Sequence, residues 1–222
     1  MTHHDKSPEY EGLRFFGKMN ASISHEIRNA LAVINENAGL VKDLIMMSEK
    51  GHPLDLERIE GKVQKVMEQV RRADRIVGNM NRFAHSIDNE SAKINACEYA
   101  DFVVRLSERF AAMKGIELRT QFPSEPVEIA TFPFLFENLI YLCLDRAMQY
   151  PDGDKTILIS AQKTDDRILF EFRGVAKEID PENNNLTVSE DMLKTLGAKL
   201  IHKQGSDSFI LDIQKELSAQ HF

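Results

Sequence analysis

Residues 59–87, which read IEGKVQKVMEQVRRADRIVGNMNRFAHSI, carry the strongest structural signal in the chain. Apolar residues recur there at gaps that alternate between four and three, and nine of the twenty residues between them are charged. This spacing is the heptad pattern of a helix that packs against other helices, sustained for about four repeats. The stretch therefore predicts one long amphipathic helix. Its apolar positions are Ile59, Val63, Val66, Val70, Ala73, Val77, Met80, Ala84 and Ile87.

A second apolar stripe with similar spacing lies upstream and predicts a partner helix. Gly51 and Pro53 interrupt the pattern between the two helices, and Asp55 can cap the second one. We therefore expect an antiparallel hairpin over residues 9–90, after a flexible tail at residues 1–8. The upstream stripe consists of Phe16, Met19, Ile23, Ile27, Ala30, Ile34, Asn37, Val41 and Leu44.

Two helices alone cannot bury both stripes against each other. A hairpin from a second copy would cover the remaining apolar surface and complete a four-helix bundle. The hairpin therefore predicts a homodimer.

The first helix carries the stretch SISHEIRNAL at residues 22–31. His25 lies two residues from both Ile23 and Ile27, so it points away from the apolar stripe, toward solvent or a docking partner. Glu26 follows it, and Asn29 lies one turn further on, on the same side as His25. A carboxylate close to an imidazole can accept its Nδ1 proton and leave Nε2 as the nucleophile. The competing interpretation is a bundle kept only for dimerisation.

After residue 93 the pattern changes to alternating helices and strands, which predicts a two-layer α/β sandwich over residues 94–222 and an α+β fold for the chain. A short helix at residues 189–196 is expected to be capped by Ser189 and ended by Gly197. Helices are also predicted at residues 100–113 and 133–150, and strands at 116–122, 155–163, 167–174, 199–203 and 209–215.

The segment from Phe16 to Ile34 resembles the H-box of two-component sensor histidine kinases, whose pattern runs roughly S-H-E-[IL]-R-[TN]-P-L. The resemblance implies that His25 is phosphorylated, that Glu26 orients or deprotonates it, and that Asn29 positions a water or the incoming phosphoryl group. Ala30 stands where the family carries proline, which should reduce the kink of this helix. The matching residues are Ser24, His25, Glu26, Ile27, Arg28, Asn29 and Leu31.

The order of elements in residues 94–222 also resembles the ATP-binding domain of these kinases, but the residues that would hold ATP differ. Leu142 and Arg146 stand where the family places asparagines, the second of which coordinates magnesium. Magnesium requires oxygen ligands, and a guanidinium has none. The family's D-x-G-x-G loop matches residues 174–178, where Gly174 replaces the aspartate and Ala176 and Glu178 replace the glycines.

Neither the family's longer lid nor its G-x-G-L phosphate loop is visible between Glu182 and Ser189. We therefore expect this domain to bind no ATP and the protein to hold no metal or other cofactor. Magnesium is expected on a partner receiver domain instead. An alternative interpretation is that Arg146 and Lys177 hold some other anion.

A phosphorylatable histidine without an ATP site predicts a histidine phosphotransferase of a phosphorelay, with response-regulator receiver domains as partners. The alternatives are a response-regulator phosphatase or regulatory pseudokinase, a divergent active histidine kinase and a non-enzymatic dimeric scaffold. Receiver docking in the family uses the groove between the bundle helices, which matches Val33, Asn37, Arg75 and Asn79.

The composition narrows the partners and the compartment. A net charge of −7 argues against binding to nucleic acid or an anionic membrane. No apolar run is long enough to span a bilayer and no signal peptide opens the chain. Cys97 and Cys143 are far apart in apolar contexts, which favours buried free thiols over a disulfide or metal site. We therefore expect a cytoplasmic protein.

Overall fold

The computed structural model describes residues 8–88, 91–176, 188–202 and 205–216. Helix α1 (Pro8–Glu49) and helix α2 (Leu56–His85) come first, and a mixed α/β region follows. The predicted α+β fold, a long helical hairpin followed by a two-layer α/β sandwich, is confirmed. Residues 1–7 of the expected tail lie outside the described residues, and Pro8 already belongs to α1.

The chain divides into two compact units whose boundaries differ from the predicted ones. One unit is Gly17–Ala84 and contains most of both long helices. The other combines the start of α1, as far as Phe16, with the chain from His85 onward. The division falls inside α1 because the first turns of this helix pack into the α/β core.

The loop between α1 and α2 is closed by the residues that the sequence singled out. Gly51 has a φ of +93°, and its N–H donates to the carbonyl of Ser48 at 3.0 Å. Asp55 caps α2, since its Oδ1 accepts from the backbone N–H of Arg58 at 2.9 Å. A positive φ at the residue after a helix favours glycine, which explains Gly51.

Helix α1 continues without interruption past Ala30, where a proline would remove a backbone hydrogen bond. Ala30 itself is fully buried, as are Met19 and Ile23. The reduced kink expected at this position stays a prediction.

The apolar side of helix α2 is partly buried and partly exposed. Ile59, Val66 and Ala73 from the predicted stripe are half-buried, and the stripe omitted the buried Ile76 and Phe83. The other members of the stripe are exposed and lie beside the half-buried ones on the same side of the helix. We define the outer stripe as four of these exposed residues together with Met67; it consists of Val63, Met67, Val70, Val77 and Met80, which are 36–50% exposed.

Among the described residues, seven strands and three helices build the α/β region. Five strands form a sheet in the order β2-β4-β5-β7-β6, in which β2 and β4 are parallel and the other neighbours antiparallel. Strands β1 and β3 form a separate antiparallel pair that the sequence did not predict. The elements are β1 (Ala92–Asn95), α3 (Ala96–Met113), β2 (Glu117–Gln121), β3 (Glu128–Thr131), α4 (Pro133–Gln149), β4 (Thr156–Lys163), β5 (Arg167–Arg173), α5 (Glu190–Thr195), β6 (Ala198–His202) and β7 (Ser208–Gln214).

The core of this region lies between one face of the sheet and helices α3 and α4. Alternate residues of the central strands are buried, as expected for a sheet covered on one face. Ser189 caps α5 as predicted, because its side chain accepts from the backbone N–H of Met192 at 3.2 Å. The buried strand residues are Ile157, Ile159, Ile168, Phe170, Phe172, Phe209, Leu211 and Ile213.

The first turns of α1 are part of this core. The ring of Phe15 is 2% exposed, and its centroid lies 5.0 Å from that of Tyr141 and 5.7 Å from that of Phe134. A Cβ on Gly12 would lie 3.1 Å from the ring of Phe134, so only a very small residue fits there. Burial raises the pKa of Glu11, although hydrogen bonds from Ser189 oppose the change.

We predict that Phe15→Ala destabilises the α/β region by about 3–5 kcal/mol, because it removes a fully buried ring and its aromatic contacts. Urea unfolding measures the loss. The matched control is Leu13→Ala on the same helix, where the side chain is 68% exposed and the expected change is below about 0.5 kcal/mol. Equal effects of the two substitutions would contradict the packing described here.

Candidate functional site

His25 lies on the exposed side of α1. Its side chain is exposed, whereas the neighbouring Ser22, Ile23 and Ala30 are buried. The predicted direction of the imidazole, away from the apolar stripe, is therefore confirmed. Nε2 has no partner among the contacts of the described residues, so this nitrogen is open to a reactant.

Asn29 contacts the imidazole directly. Its Nδ2 lies 3.1 Å from Nδ1 of His25, one helical turn away. Residues four apart on a helix lie one above the other, which brings the two side chains together. The predicted location of Asn29 beside His25 is confirmed.

Glu26 is directed to the second helix. Its Oε2 lies 3.8 Å from Nη2 of Arg72 on α2, and the Glu26 side chain is 27% exposed. Consecutive residues on a helix point about 100° apart, so the carboxylate next to His25 in sequence diverges from the ring. The structure thus places Asn29 at Nδ1, where the sequence interpretation placed Glu26; the role of Glu26 in the chemistry stays a prediction.

Arg72 is a residue that sequence reasoning missed. It lies in a run of charged residues on α2, and nothing in the pattern separates it from the exposed Arg71 beside it. Only the pairing of α1 with α2 shows that Arg72 reaches the carboxylate next to His25.

The four residues predicted to bind a receiver domain differ in exposure. Arg75 is exposed, and Val33 and Asn79 are half-buried. Asn37 is only 5% exposed, and its side-chain amide donates to the carbonyl of Val33 at 2.8 Å. The burial of Asn37 agrees with its place in the apolar stripe, and its role in receiver binding stays a prediction.

The positions that match the family's nucleotide site lie close together. The N–H of Ala176 donates to the carbonyl of Tyr150 at 2.8 Å, and the N–H of Asp152 donates to that of Gly174 at 2.9 Å. These bonds join the segment after β5 to the end of α4, the helix that carries Leu142 and Arg146. Leu142, Arg146 and Ala176 are half-buried. Lys177 and Glu178, and the segment expected to replace the lid, lie outside the described residues.

Arg146 packs its side chain on an aromatic ring. The guanidinium carbon lies 5.4 Å from the ring centroid of Phe209, within the range of a cation–π contact. The Phe209 ring in turn stacks on Phe172, with centroids 5.0 Å apart and planes 8° apart. A guanidinium offers donors and no oxygen ligand, so Arg146 in this position does not suit magnesium.

Gly174 has a backbone that excludes a side chain. Its φ is +93°, and a Cβ built on it would lie 2.0 Å from the carbonyl oxygen of Thr156. The N–H groups of Gly174 and Val175 both donate to the carbonyl of Asp207, at 3.0 and 2.9 Å. The sequence showed that an aspartate is missing here; the structure shows that the local backbone has no room for one.

The described parts of the chain offer few other reactive or metal-binding groups. Both cysteines are buried free thiols, as predicted, and burial raises the pKa of Cys97 to about 11 and that of Cys143 to about 12. In the described ranges, no three histidine, cysteine or carboxylate side chains lie together as metal ligands would. No helix among those described has the length and apolar character needed to cross a bilayer.

The solved structures to which the chain is similar include histidine kinases. The catalytic domain of histidine kinase ThkA is 15% identical and covers 58% of this chain and 97% of its own, with a TM-score of 0.46. Histidine kinase AdeS of Acinetobacter baumannii is 12% identical, covering 87% of this chain and 98% of its own, with a TM-score of 0.47. ThkA in complex with the response regulator protein TrrA is 18% identical, covering 95% and 65%, with a TM-score of 0.42. No protein-family model and no curated protein matches the chain.

We predict that Gly174→Ala destabilises the α/β region by about 3 kcal/mol or more, because the methyl group meets the carbonyl of Thr156 and the positive φ is strained for alanine. Urea unfolding measures the loss. Gly205→Ala is the matched control, since Gly205 also has a positive φ, +77°, but nothing lies within 4 Å of its Cβ position. The control should cost only about 1 kcal/mol, and equal losses would show that the close approach to Thr156 is unimportant.

Proposed function

We propose that this protein is a histidine phosphotransferase, which carries a phosphoryl group on His25 between the aspartates of response-regulator receiver domains. The observation that carries the proposal is which ring nitrogens of His25 have a contact partner. Nδ1 of the exposed His25 contacts Asn29, and Nε2 has no partner among the described residues. When the Asn29 amide is turned so that its Oδ1 accepts from Nδ1–H, the lone pair of the ring lies on the open Nε2, which suits nucleophilic attack on phosphorus.

The reaction exchanges one bond to phosphorus for another. Nε2 of His25 forms a bond to phosphorus as the O–P bond of the aspartyl phosphate breaks, and the aspartate leaves as a free carboxylate. A ring proton is lost to a nearby base, a role that we assign to Glu26 or to water. In-line geometry and the magnesium ion of the receiver would stabilise the charge on the transferring group. The second transfer reverses these steps onto another receiver.

The proposed source of phosphate is another protein, because the positions that match a kinase nucleotide site are unsuited to ATP. Arg146 lies on Phe209 and supplies no oxygen, and the backbone at Gly174 leaves no room for an aspartate. Both features favour a carrier over an autophosphorylating kinase. Receiver domains that exchange phosphate in this way act in the cytoplasm, where we place the protein.

We further propose that the protein is a homodimer built on the outer stripe of α2. Its five apolar residues are 36–50% exposed in the single chain, and four of them, all except Met67, belong to the heptad pattern of α2. An exposed apolar stripe with heptad spacing is the surface that a second helical hairpin covers in a four-helix bundle.

The function is tested by offering the purified protein radiolabelled phosphate from two sources in separate reactions. One source is ATP, and the other is a panel of labelled phospho-receiver domains from the same genome. We expect acid-labile label from at least one receiver, none from ATP, and none on His25→Gln. His52→Gln, in the exposed loop between the helices, is the control and should accept label like the wild type.

Each other outcome identifies a competing function. Label from ATP would make the protein a kinase and refute the proposal. Faster loss of receiver phosphate without label on His25 would favour a phosphatase, in which Asn29 and Glu26 orient a water. No exchange with any receiver would leave a dimeric scaffold.

A charged residue introduced into the outer stripe by substitution tests the dimer. We predict that Val70→Glu yields a monomer at low micromolar concentration, because each copy would bury one carboxylate in the apolar interface. Light scattering coupled to size exclusion measures the mass. Arg71→Glu places the same side chain one position away on the exposed surface and should leave the dimer intact; a dimeric Val70→Glu would contradict the proposed interface.

A further inference from the structure

We propose that the α/β region contains a binding site for a small, uncharged, ring-containing molecule. The site is a cavity of about 660 Å³ beside the first turns of α1. All of its lining residues belong to the compact unit that contains the α/β core. His25 belongs to the other unit, so the site does not depend on the proposed phosphotransfer.

The cavity is formed by four segments that are distant in sequence. They are the first turns of α1, the segment after α2, the start of α4 and the end of α5. Because walls from four segments meet around it, the cavity suits a compact ligand better than an extended chain. The lining side chains are Leu13, Phe16, Ile87, Phe134, Leu135 and Thr195.

The walls of the cavity are apolar and carry no charged side chain. Leu13 is 68% exposed and Ile87 is 50% exposed, so two large apolar side chains meet solvent at this place. A ligand that covers them removes apolar surface from water, which is favourable. A charged ligand would lose its hydration without gaining an opposite charge in the walls. The ligand is therefore expected to be uncharged.

The volume and the two phenylalanine rings narrow the class of ligand further. Sites for small organic molecules measure roughly 300–1,000 Å³ and are lined mainly by apolar and aromatic side chains with a few polar groups. The cavity agrees with this description in size and in composition. Aromatic rings pack well against each other when offset or edge to face. The rings of Phe16 and Phe134 therefore favour a ligand that itself contains a ring.

Two polar groups indicate that the ligand also carries a hydrogen-bonding group. The hydroxyl of Thr195, in the cavity wall, can both donate and accept. Asn138 is fully buried, and neither its Nδ2 nor its Oδ1 has a hydrogen-bond partner among the described residues. This Nδ2 lies 4.0 Å from the Cβ position of Gly12, a residue that lines the cavity without a side chain. A hydroxyl or carbonyl group on the ligand would serve these positions.

The fluorescence of N-phenyl-1-naphthylamine, an uncharged probe that emits strongly in apolar surroundings, tests the site in the full chain. We expect saturable binding of about one probe per chain. Leu13→Asp places a carboxylate at the cavity and should weaken binding about fivefold or more. The matched control is Leu56→Asp on α2, because Leu56 is also 68% exposed but does not line the cavity. This control should bind the probe like the wild type.

Nuclear Overhauser effects between the probe and methyl groups of the protein locate it independently of any substitution. We expect them at Leu135 and Thr195, which both line the cavity. Repeating the titration at increasing protein concentration shows whether association of chains competes with the probe.

Two competitors of similar shape test the hydrogen-bonding group. 1-Naphthol has a hydroxyl where 1-methylnaphthalene has a methyl group, and both displace a bound probe if they enter the cavity. We expect 1-naphthol to bind about fivefold more tightly, the ratio that one ordinary hydrogen bond supports. The double variant Thr195→Val/Asn138→Leu keeps the size of both side chains and removes their polar atoms, so it should bind the two competitors equally.

Equal weakening by Leu13→Asp and Leu56→Asp would overturn the proposal, because the probe would then lie on exposed apolar surface in general. Overhauser effects to the outer stripe of α2 instead of the cavity would also overturn it. A preference for 1-naphthol that persists in the double variant would contradict the assigned polar contacts. Loss of the probe as chains associate would show that a second copy, and not a small molecule, covers the cavity.

Discussion

The period of the α-helix is the constraint on which the candidate site depends. A turn of 3.6 residues sends Ile23 and Ala30 to the buried side of α1, leaves His25 and Asn29 together on the exposed side, and directs Glu26 toward α2. No loop contributes to this arrangement. The site is therefore as rigid as the helix that carries it, and its geometry follows from spacing along one continuous segment.

A contact between α1 and α2 contributes to the geometry of the candidate site. Arg72 of α2 reaches Glu26 of α1, while the outer stripe of α2 is exposed in the single chain. The ion pair between Arg72 and Glu26 is partly exposed and contributes little to stability on its own. Its effect is directional, because it keeps the carboxylate beside α2 and leaves Nδ1 of His25 to Asn29.

Sequence reasoning predicted the hairpin, its cap at Asp55, the five-stranded sheet and the location of Asn29, because each follows from periodicity or from a local turn rule. It missed β1 and β3, whose four residues each are too short to show a period. It also overlooked Arg72, since the partner of this side chain depends on the pairing of elements far apart in sequence. Similarly, Gly174 could be identified as a substitution, but its conflict with Thr156 depends on a neighbouring strand.

The backbone at Gly174 has a consequence for protein engineering. The oxygen of Thr156 occupies the place where a first side-chain atom would begin, and the surrounding N–H groups are already bonded to Asp207. A nucleotide pocket therefore could not be rebuilt here by exchanging individual residues, since the strand end itself would have to be re-routed first. The introduction of a nucleotide site into this domain is a problem of main-chain redesign.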